Sequence, residues 1–148
     1  LREEPTLHEH QDTPQLDRTA RQRKDGDMER VLGLGGVFLR SNNPDALTAW
    51  YRDNLGVGTD PASPWQQEAG PTIFASFDVD SDYFGARSQQ VMLNFRVSNL
   101  EAMLEQLRAA GTEVDPHVET MEGVGLFGWV ADPDGNRIEL WQPFEPLP

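Results

Sequence analysis

Cysteine is absent from the 148 residues, which excludes a disulfide framework, a thiol nucleophile and a thiolate metal site. Basic residues are scarce as well. From Met28 onward there are seven arginines, no lysine and eighteen acids, and the whole chain carries a formal charge of -13. Without a cluster of cations to offset phosphate repulsion, nucleic acid and anionic membrane surfaces are excluded as main partners. Long apolar runs are also missing: the longest, Val31 to Leu39, falls far short of the ~20 residues of a membrane span. Residues 1–27 lack the apolar stretch of a signal peptide. The sequence reads as a soluble, cytoplasmic protein long enough for one domain with a real core.

Residues 1–27 hold scattered charges, with Leu1, Leu7 and Leu16 as their only large aliphatics. Such a segment buries too little apolar area to offset the entropy of ordering. A flexible extension is expected there, with His8 and His10 in a solvated tail, and a domain over 28–148. Val31 to Ser41 reads as a strand, with Gly35 and Gly36 at a bend or a close approach of another group. Asn42 and Asn43 supply an N-cap, Pro44 suits the first turn and Asp45 complements the positive end of the dipole. Ala46, Leu47, Trp50 and Tyr51 then fall at helical spacing, which predicts a helix to about Asn54, ended by Gly56. Trp50 and Tyr51 are expected in the core. Gly58, Pro61 and Pro64 make 57–70 a loop, and Thr72 to Asp78 reads as a strand. Asp78, Asp80 and Asp82 alternate as in a calcium loop, but Tyr83 and Gln89 stand where that motif needs glycine and a carboxylate, which excludes an EF-hand. Tyr83, Phe84 and Gly85 continue a loop with room to fold over a cavity.

Gln90 to Val97 is the clearest strand, with Val91, Leu93, Phe95 and Val97 on one face and Gln90, Met92, Asn94 and Arg96 on the other. Ser98-Asn99-Leu100-Glu101 has the form of a capping box and opens a helix whose Leu100, Met103, Leu104 and Leu107 lie on one side. Gly111 closes it, and Thr112 to Val118 is a further strand candidate. Val124–Ala131 and Arg137–Gln142 then flank Asp132-Pro133-Asp134-Gly135-Asn136, a strand–turn–strand pattern that predicts a hairpin. In its second strand Arg137, Glu139 and Trp141 alternate with Ile138 and Leu140. Glu139 is thereby a carboxylate on a strand face beside a large aromatic. On a cavity wall it is a candidate ligand or base; facing solvent it is an ordinary surface acid.

A shift of 56 residues lays Leu39-Arg40-Ser41-Asn42-Asn43-Pro44-Asp45-Ala46-Leu47 over Phe95-Arg96-Val97-Ser98-Asn99-Leu100-Glu101-Ala102-Met103. Arginine at the strand end, a capping residue, an acid and then alanine plus an aliphatic recur. Each half is expected to be a strand, a helix and several strands. The fold class is thus α+β: two βαβββ modules in tandem, about 31–80 and 89–142, forming a shared curved-sheet cup.

With Gly36-Val37-Phe38-Leu39-Arg40, Asn43-Pro44-Asp45-Ala46-Leu47, Trp50 to Gly56 and the Asp-Pro-Asp-Gly-Asn-Arg-Ile-Glu-Leu ending in this order, the chain resembles the vicinal oxygen chelate superfamily over about residues 31–142. That superfamily groups glyoxalase, bleomycin-resistance and extradiol dioxygenase proteins. The resemblance implies the glyoxalase-like fold and, in metal-dependent members, ligands facing into the cup from the first and last strands of each module. Carried over by position, the last-strand ligand of the second module is Glu139, whereas the first-strand positions fall on Met92 and Gly36, which are poor or absent donors. No cofactor is firmly implied. A divalent metal stays open, with Glu139 as its ligand, while His117 reads more readily as a surface residue than as a second ligand.

Without metal the cup becomes a binding pocket. Leu34, Gly36, Phe38 and Arg40 would share one space with Met92, Asn94 and Arg96, and Trp129, Glu139 and Trp141 would complete the wall. Arg40 and Arg96 are candidates to clamp an anion, with surface ion pairing as the plainer role. The expected function is that of a small-molecule-binding protein of the bleomycin-resistance type, binding an organic ligand and pairing as a homodimer. Two alternatives stand beside it: a metal-dependent glyoxalase-like lyase, isomerase or dioxygenase using Glu139, and a non-catalytic partner-binding module.

Overall fold

A computed structural model describes residues 28–58 and 62–145; the expected extension 1–27 lies outside the described residues. The chain divides between Val37 and Phe38 into two units. In the first, from Met28, no helix or strand forms, and Val31, Leu32, Leu34 and Val37 are exposed. The strand expected over Val31–Ser41 is therefore not built. Gly33, Gly35 and Gly36 give the reason, since each glycine raises the entropy lost on forming a strand and adds no side chain to pack.

The second unit opens with α1, Pro44–Trp50, which runs on as one π-helical turn over Tyr51–Leu55. Asn43 is its N-cap: the side-chain oxygen accepts the Ala46 N–H at 3.2 Å, and Pro44 costs nothing at a position without an intrahelical donor duty. Gly56, at φ 68°, takes the left-handed conformation that ends it. Trp50 packs partly buried, and Leu47 and Tyr51 are buried, as their spacing predicted. Thr72–Asp78 is not a strand either. Among the described residues it pairs with no strand, and Ile73 and Phe74 are exposed; a strand without a partner leaves its ladder groups to water and gains no cross-strand packing.

From Leu93 onward the chain forms a strand, a helix and four further strands. β1 is Leu93–Arg96, α2 Leu100–Ala109, β2 Glu113–Val114, β3 Glu119–Met121, β4 Gly125–Ala131 and β5 Arg137–Pro143. The sheet runs β1-β5-β4, with β2 and β3 both on the far edge of β4; β1 is parallel to β5 and the other pairs are antiparallel. The capping residue of α2 is Asn99, whose side chain accepts the Ala102 N–H at 3.0 Å, rather than Ser98. The helix therefore starts one residue later than the Ser-x-x-Glu spacing suggests, and Glu101 sits in its first turn beside the positive end of the dipole. Of the strand expected at Thr112–Val118 only β2 forms, and β3 begins just after that range. Pro116 lacks a ladder donor, and Asp115 turns the chain by accepting the His117 N–H on its own carboxylate at 2.9 Å.

Alternation sorts the sheet into two faces. Val130, Ile138 and Leu140 pack with Leu100, Leu104 and Leu107 of α2, and with Leu47 and Tyr51, in the main core; each such side chain contributes about 1.5–3 kcal/mol by leaving water. Gly128 lies where the helix crosses β4, and a Cβ there would come within 3.1 Å of Leu104 Cδ1. Phe127, Trp129 and Trp141 are buried on the opposite face, with Tyr83, Met92 and Val124 partly buried against them. The β4–β5 turn is held by Asp132, only 4% exposed. Its Oδ1 accepts the N–H groups of Asp134 and Asn136, both at 2.9 Å. Its Oδ2 accepts the Asn136 amide at 2.7 Å and the Tyr51 hydroxyl at 2.8 Å. One carboxylate thus closes the hairpin and ties it to the helical segment.

Candidate functional site

Register builds the site. Asn94 on β1 and Trp129 on β4 are both direct partners of Glu139 on β5, so three consecutive strands lay an amide, a carboxylate and an indole in one row. Glu139 is buried at 7% exposure. The Asn94 amide donates to its Oε1 at 2.6 Å, and the Trp129 indole N–H donates to Oε2 at 3.0 Å. A third donor comes from outside the sheet: the Tyr83 hydroxyl, on the loop after Asp78, also donates to Oε2. Burial of a carboxylate is costly without such partners, and here both oxygens have them.

Aromatic rings surround this carboxylate. Tyr83 meets Trp129 edge to face with centroids 5.8 Å apart and stacks on Phe77 at 5.1 Å. The His117 ring lies parallel to Trp129 at 5.8 Å, and the Arg137 guanidinium stands 5.3 Å from the Trp129 centroid. Burial, followed by the hydrogen bond and charge of Glu139, holds the Tyr83 phenol well above the ordinary tyrosine range, so it remains a neutral donor at physiological pH. Asp115 is held below the usual carboxylate range by the His117 N–H and, with smaller effect, by Arg137 at 3.4 Å.

Of the residues singled out from sequence, Asn94, Trp129 and Glu139 come together, and Met92 packs against the same aromatic group. Trp141 is on that face but buried at 3%, parallel to Phe127 with ring centroids 6.0 Å apart, so it supports the wall from beneath. Arg96 donates to the Glu68 carbonyl at 2.8 Å, and a Cβ on Gly70 would fall 1.4 Å from its guanidinium. Arg40 lines an open, shallow groove with Ser41, Asn42, Asp134 and Asn136, beside the hairpin turn. Phe38 is 96% exposed. His117 is exposed, and its ring stacks on Trp129.

Sequence reasoning missed the roles of Tyr83, Gln89 and Arg137. Gln89 accepts the Arg137 N–H and donates to the Arg137 carbonyl, both at 2.8 Å, imitating a strand partner beyond the end of β1. Arg137 Nε in turn donates to the Tyr83 carbonyl at 3.1 Å. The available signal was a tyrosine in an acid-rich loop and an arginine two residues before Glu139 on the same strand face.

A divalent ion of the kind the superfamily resemblance implies needs several carboxylate, imidazole or carbonyl donors turned to one point. The side chains bonded to Glu139 are a phenol, an amide and an indole, and each presents a proton to the carboxylate. Among the described residues no three of His, Asp and Glu converge. This donor set does not fit a chelated ion.

The sequence profile of the glyoxalase-like domain family matches residues 36–141. No curated protein matches the chain. Among solved structures, similarity extends to TnmS3, an antibiotic binding protein from Streptomyces sp. CB03234, at 22% identity and TM-score 0.43, over 70% of this chain and 88% of that one. A lactoylglutathione lyase from Agrobacterium tumefaciens is similar at 18% identity and TM-score 0.44, over 74% of this chain and 95% of that one. A member of the glyoxalase/bleomycin resistance protein/dioxygenase superfamily from Sphaerobacter thermophilus DSM 20745 is similar at 18% identity and TM-score 0.42, covering 70% and 90%.

Proposed function

The chain belongs to the glyoxalase-like domain family, and from that premise we propose that it binds a small organic molecule on the sheet face around Glu139, in the manner of a bleomycin-resistance protein. The observation that carries this reading is a buried carboxylate held by three neutral donors inside an aromatic surround. The walls supply apolar contact area, and Glu139 supplies one strong acceptor in a place where water competes poorly. Asn94 and Trp129 fix the direction of that acceptor from two neighbouring strands, so a ligand meets a preorganised group rather than a rotating one. The ligand lies on the face of the second module, where the strands form among the described residues.

Thermal unfolding monitored by fluorescence tests it. An organic ligand engaging Glu139 raises the melting temperature, by the equivalent of about 2.7 kcal/mol at a hundredfold excess over Kd. Glu139→Gln removes the effect, and magnesium, manganese or zinc leaves the melting temperature of the wild type unchanged. A rise produced by one of those ions and abolished by Glu139→Gln would overturn the proposal in favour of a metal-dependent enzyme.

A further inference from the structure

We propose that Tyr83 is a resident stand-in for the ligand, and that the chain takes planar aromatic molecules bearing a hydroxyl, which replace the Tyr83 phenol on Glu139. The inference rests on the reading of Glu139 as a ligand-binding carboxylate and adds the chemical class and the route of entry.

Three contacts hold the Tyr83 side chain as a ligand would be held. Its hydroxyl donates to Glu139 Oε2, one face stacks on Phe77 at 17° between planes, and it meets Trp129 edge to face at 89°. The first and last of these, to Glu139 and Trp129, stay in the sheet and define a place for one aromatic ring with a donor at its tip. The other donors to Glu139 are fixed in strands, whereas Tyr83 sits among turns and is only partly buried. It is the member of the network that can leave without dismantling the sheet.

The loop is built for that. Its hydrogen bonds close within itself: the Ser81 N–H to the Asp78 carbonyl and the Gly85 N–H to the Asp82 carbonyl, each at 3.0 Å, and the Tyr83 N–H to the Ser81 hydroxyl at 3.2 Å. Phe77 also packs on Phe84, with ring centroids 5.2 Å apart, so Phe77, Tyr83 and Phe84 form an aromatic group that travels together. At the far end Gln89 pins the chain to the Arg137 backbone. Swinging the loop about that point gives up the Glu139 bond, the Trp129 contact and the Arg137 bond to the Tyr83 carbonyl, and keeps the rest. A hydroxylated aromatic restores the first two. One that lacks a donor leaves Glu139 short of a partner, which is the costly outcome for a buried acceptor. Because the phenol that occupies the slot stays neutral at physiological pH, the group selected is an un-ionised hydroxyl.

The probe is 4-methylphenol, the tyrosine side chain as a free molecule, with toluene as its counterpart lacking the hydroxyl; both are titrated calorimetrically into the full chain. Removing the internal competitor raises the binding-competent fraction. Tyr83→Ala is therefore expected to bind 4-methylphenol about tenfold more tightly than the wild type, a gain on the scale of one hydrogen bond to a charged group. It is also expected to prefer 4-methylphenol to toluene, and a Glu139→Gln change in the same background removes that preference. Should Tyr83→Ala lose its fold by circular dichroism, Tyr83→Phe keeps the ring, removes only the hydroxyl and shows a smaller gain in the same direction. Equal affinity in wild type and variants, with binding still dependent on Glu139, would overturn the stand-in while leaving the ligand site intact. Absence of binding to folded Tyr83 variants would overturn the proposed ligand class, and the organic-ligand thermal test then decides the site reading separately.

Discussion

The two halves of the chain begin their helices the same way and then part. Asn43 and Asn99 lie 56 residues apart and each accepts the N–H three positions on, at 3.2 and 3.0 Å. After α2 the chain lays down β2 to β5, which join β1 in one sheet. After α1, no strand forms among the described residues before Leu93. Helix starts are decided by four neighbouring residues, whereas a strand needs a partner, and the second half carries its own. Asp132 closes the β4–β5 turn with hydrogen bonds from the residues immediately after it, so the loop-closure cost of that pairing is small. The first half carries Pro64 and Gly70-Pro71 just before the expected strand Thr72–Asp78, and a proline lacks the donor that a ladder needs.

The widest separation between the halves is expected from paired truncations. Leu140 is fully buried between α2 and the sheet, so Leu140→Ala should cost about 2–5 kcal/mol. Phe74 is 96% exposed, and Phe74→Ala should stay within about 0.5 kcal/mol. Urea denaturation of both variants measures the contrast. A loss of several kcal/mol at Phe74 would mean that the first half is as tightly packed as the second.

Tyr51 is where the halves are joined, because its hydroxyl reaches the hairpin through Asp132. Tyr51→Phe leaves that buried carboxylate with one donor fewer and should cost about 1–3 kcal/mol, read as a lower urea midpoint at unchanged slope. Alkaline titration sharpens the point, since Tyr51 and Tyr83 are the chain's two tyrosines. Both phenols are raised above the ordinary value, first by burial and then by the carboxylates Asp132 and Glu139. A raised folded-state value means that their contribution is complete below the unfolded tyrosine pKa of about 10 and is lost as pH rises beyond it. Tyrosinate absorbance at 295 nm should therefore lag the ordinary titration and emerge with unfolding. Half the signal appearing near the ordinary value in the native protein would show one of the two bonds to be absent.

The same contrast explains which parts of the molecule were legible in the sequence. Glu139, Asn94 and Trp129 were found because strand alternation is local, and Trp50 and Tyr51 because helical spacing is. Tyr83 is 56 residues from Glu139 and Gln89 is 48 from Arg137, and no local pattern signals contacts at such distances. Phe38 was assigned to the site by laying the first half over the second, and Arg96 by alternation along its strand; the structure sets Arg96 against the Glu68 carbonyl and leaves Phe38 exposed. The β2–β3 break was readable from Pro116, but the use of Asp115 to turn His117 toward Trp129 was not.

The smallest expected effect returns to the shared helix starts. Replacing a capping asparagine by alanine costs about 0.5–2 kcal/mol, and the local geometry at Asn43 and Asn99 is nearly the same. What differs is the load behind each cap. α2 buries Leu100, Leu104 and Leu107, while α1 buries Leu47 alone before its π-helical turn buries Tyr51. Fraying of α2 exposes the leucine of its first turn, so Asn99→Ala should fall at the upper end of that range and lower the global urea midpoint. Fraying of α1 disturbs less packing, so Asn43→Ala should fall at the lower end. Amide hydrogen exchange distinguishes the two: Asn43→Ala should speed exchange only in the first turn after Pro44, whereas Asn99→Ala should speed it across α2 and in β4 and β5 as well. Equal and purely local effects would show that packing adds nothing to the cap, and that the halves differ only in their strands.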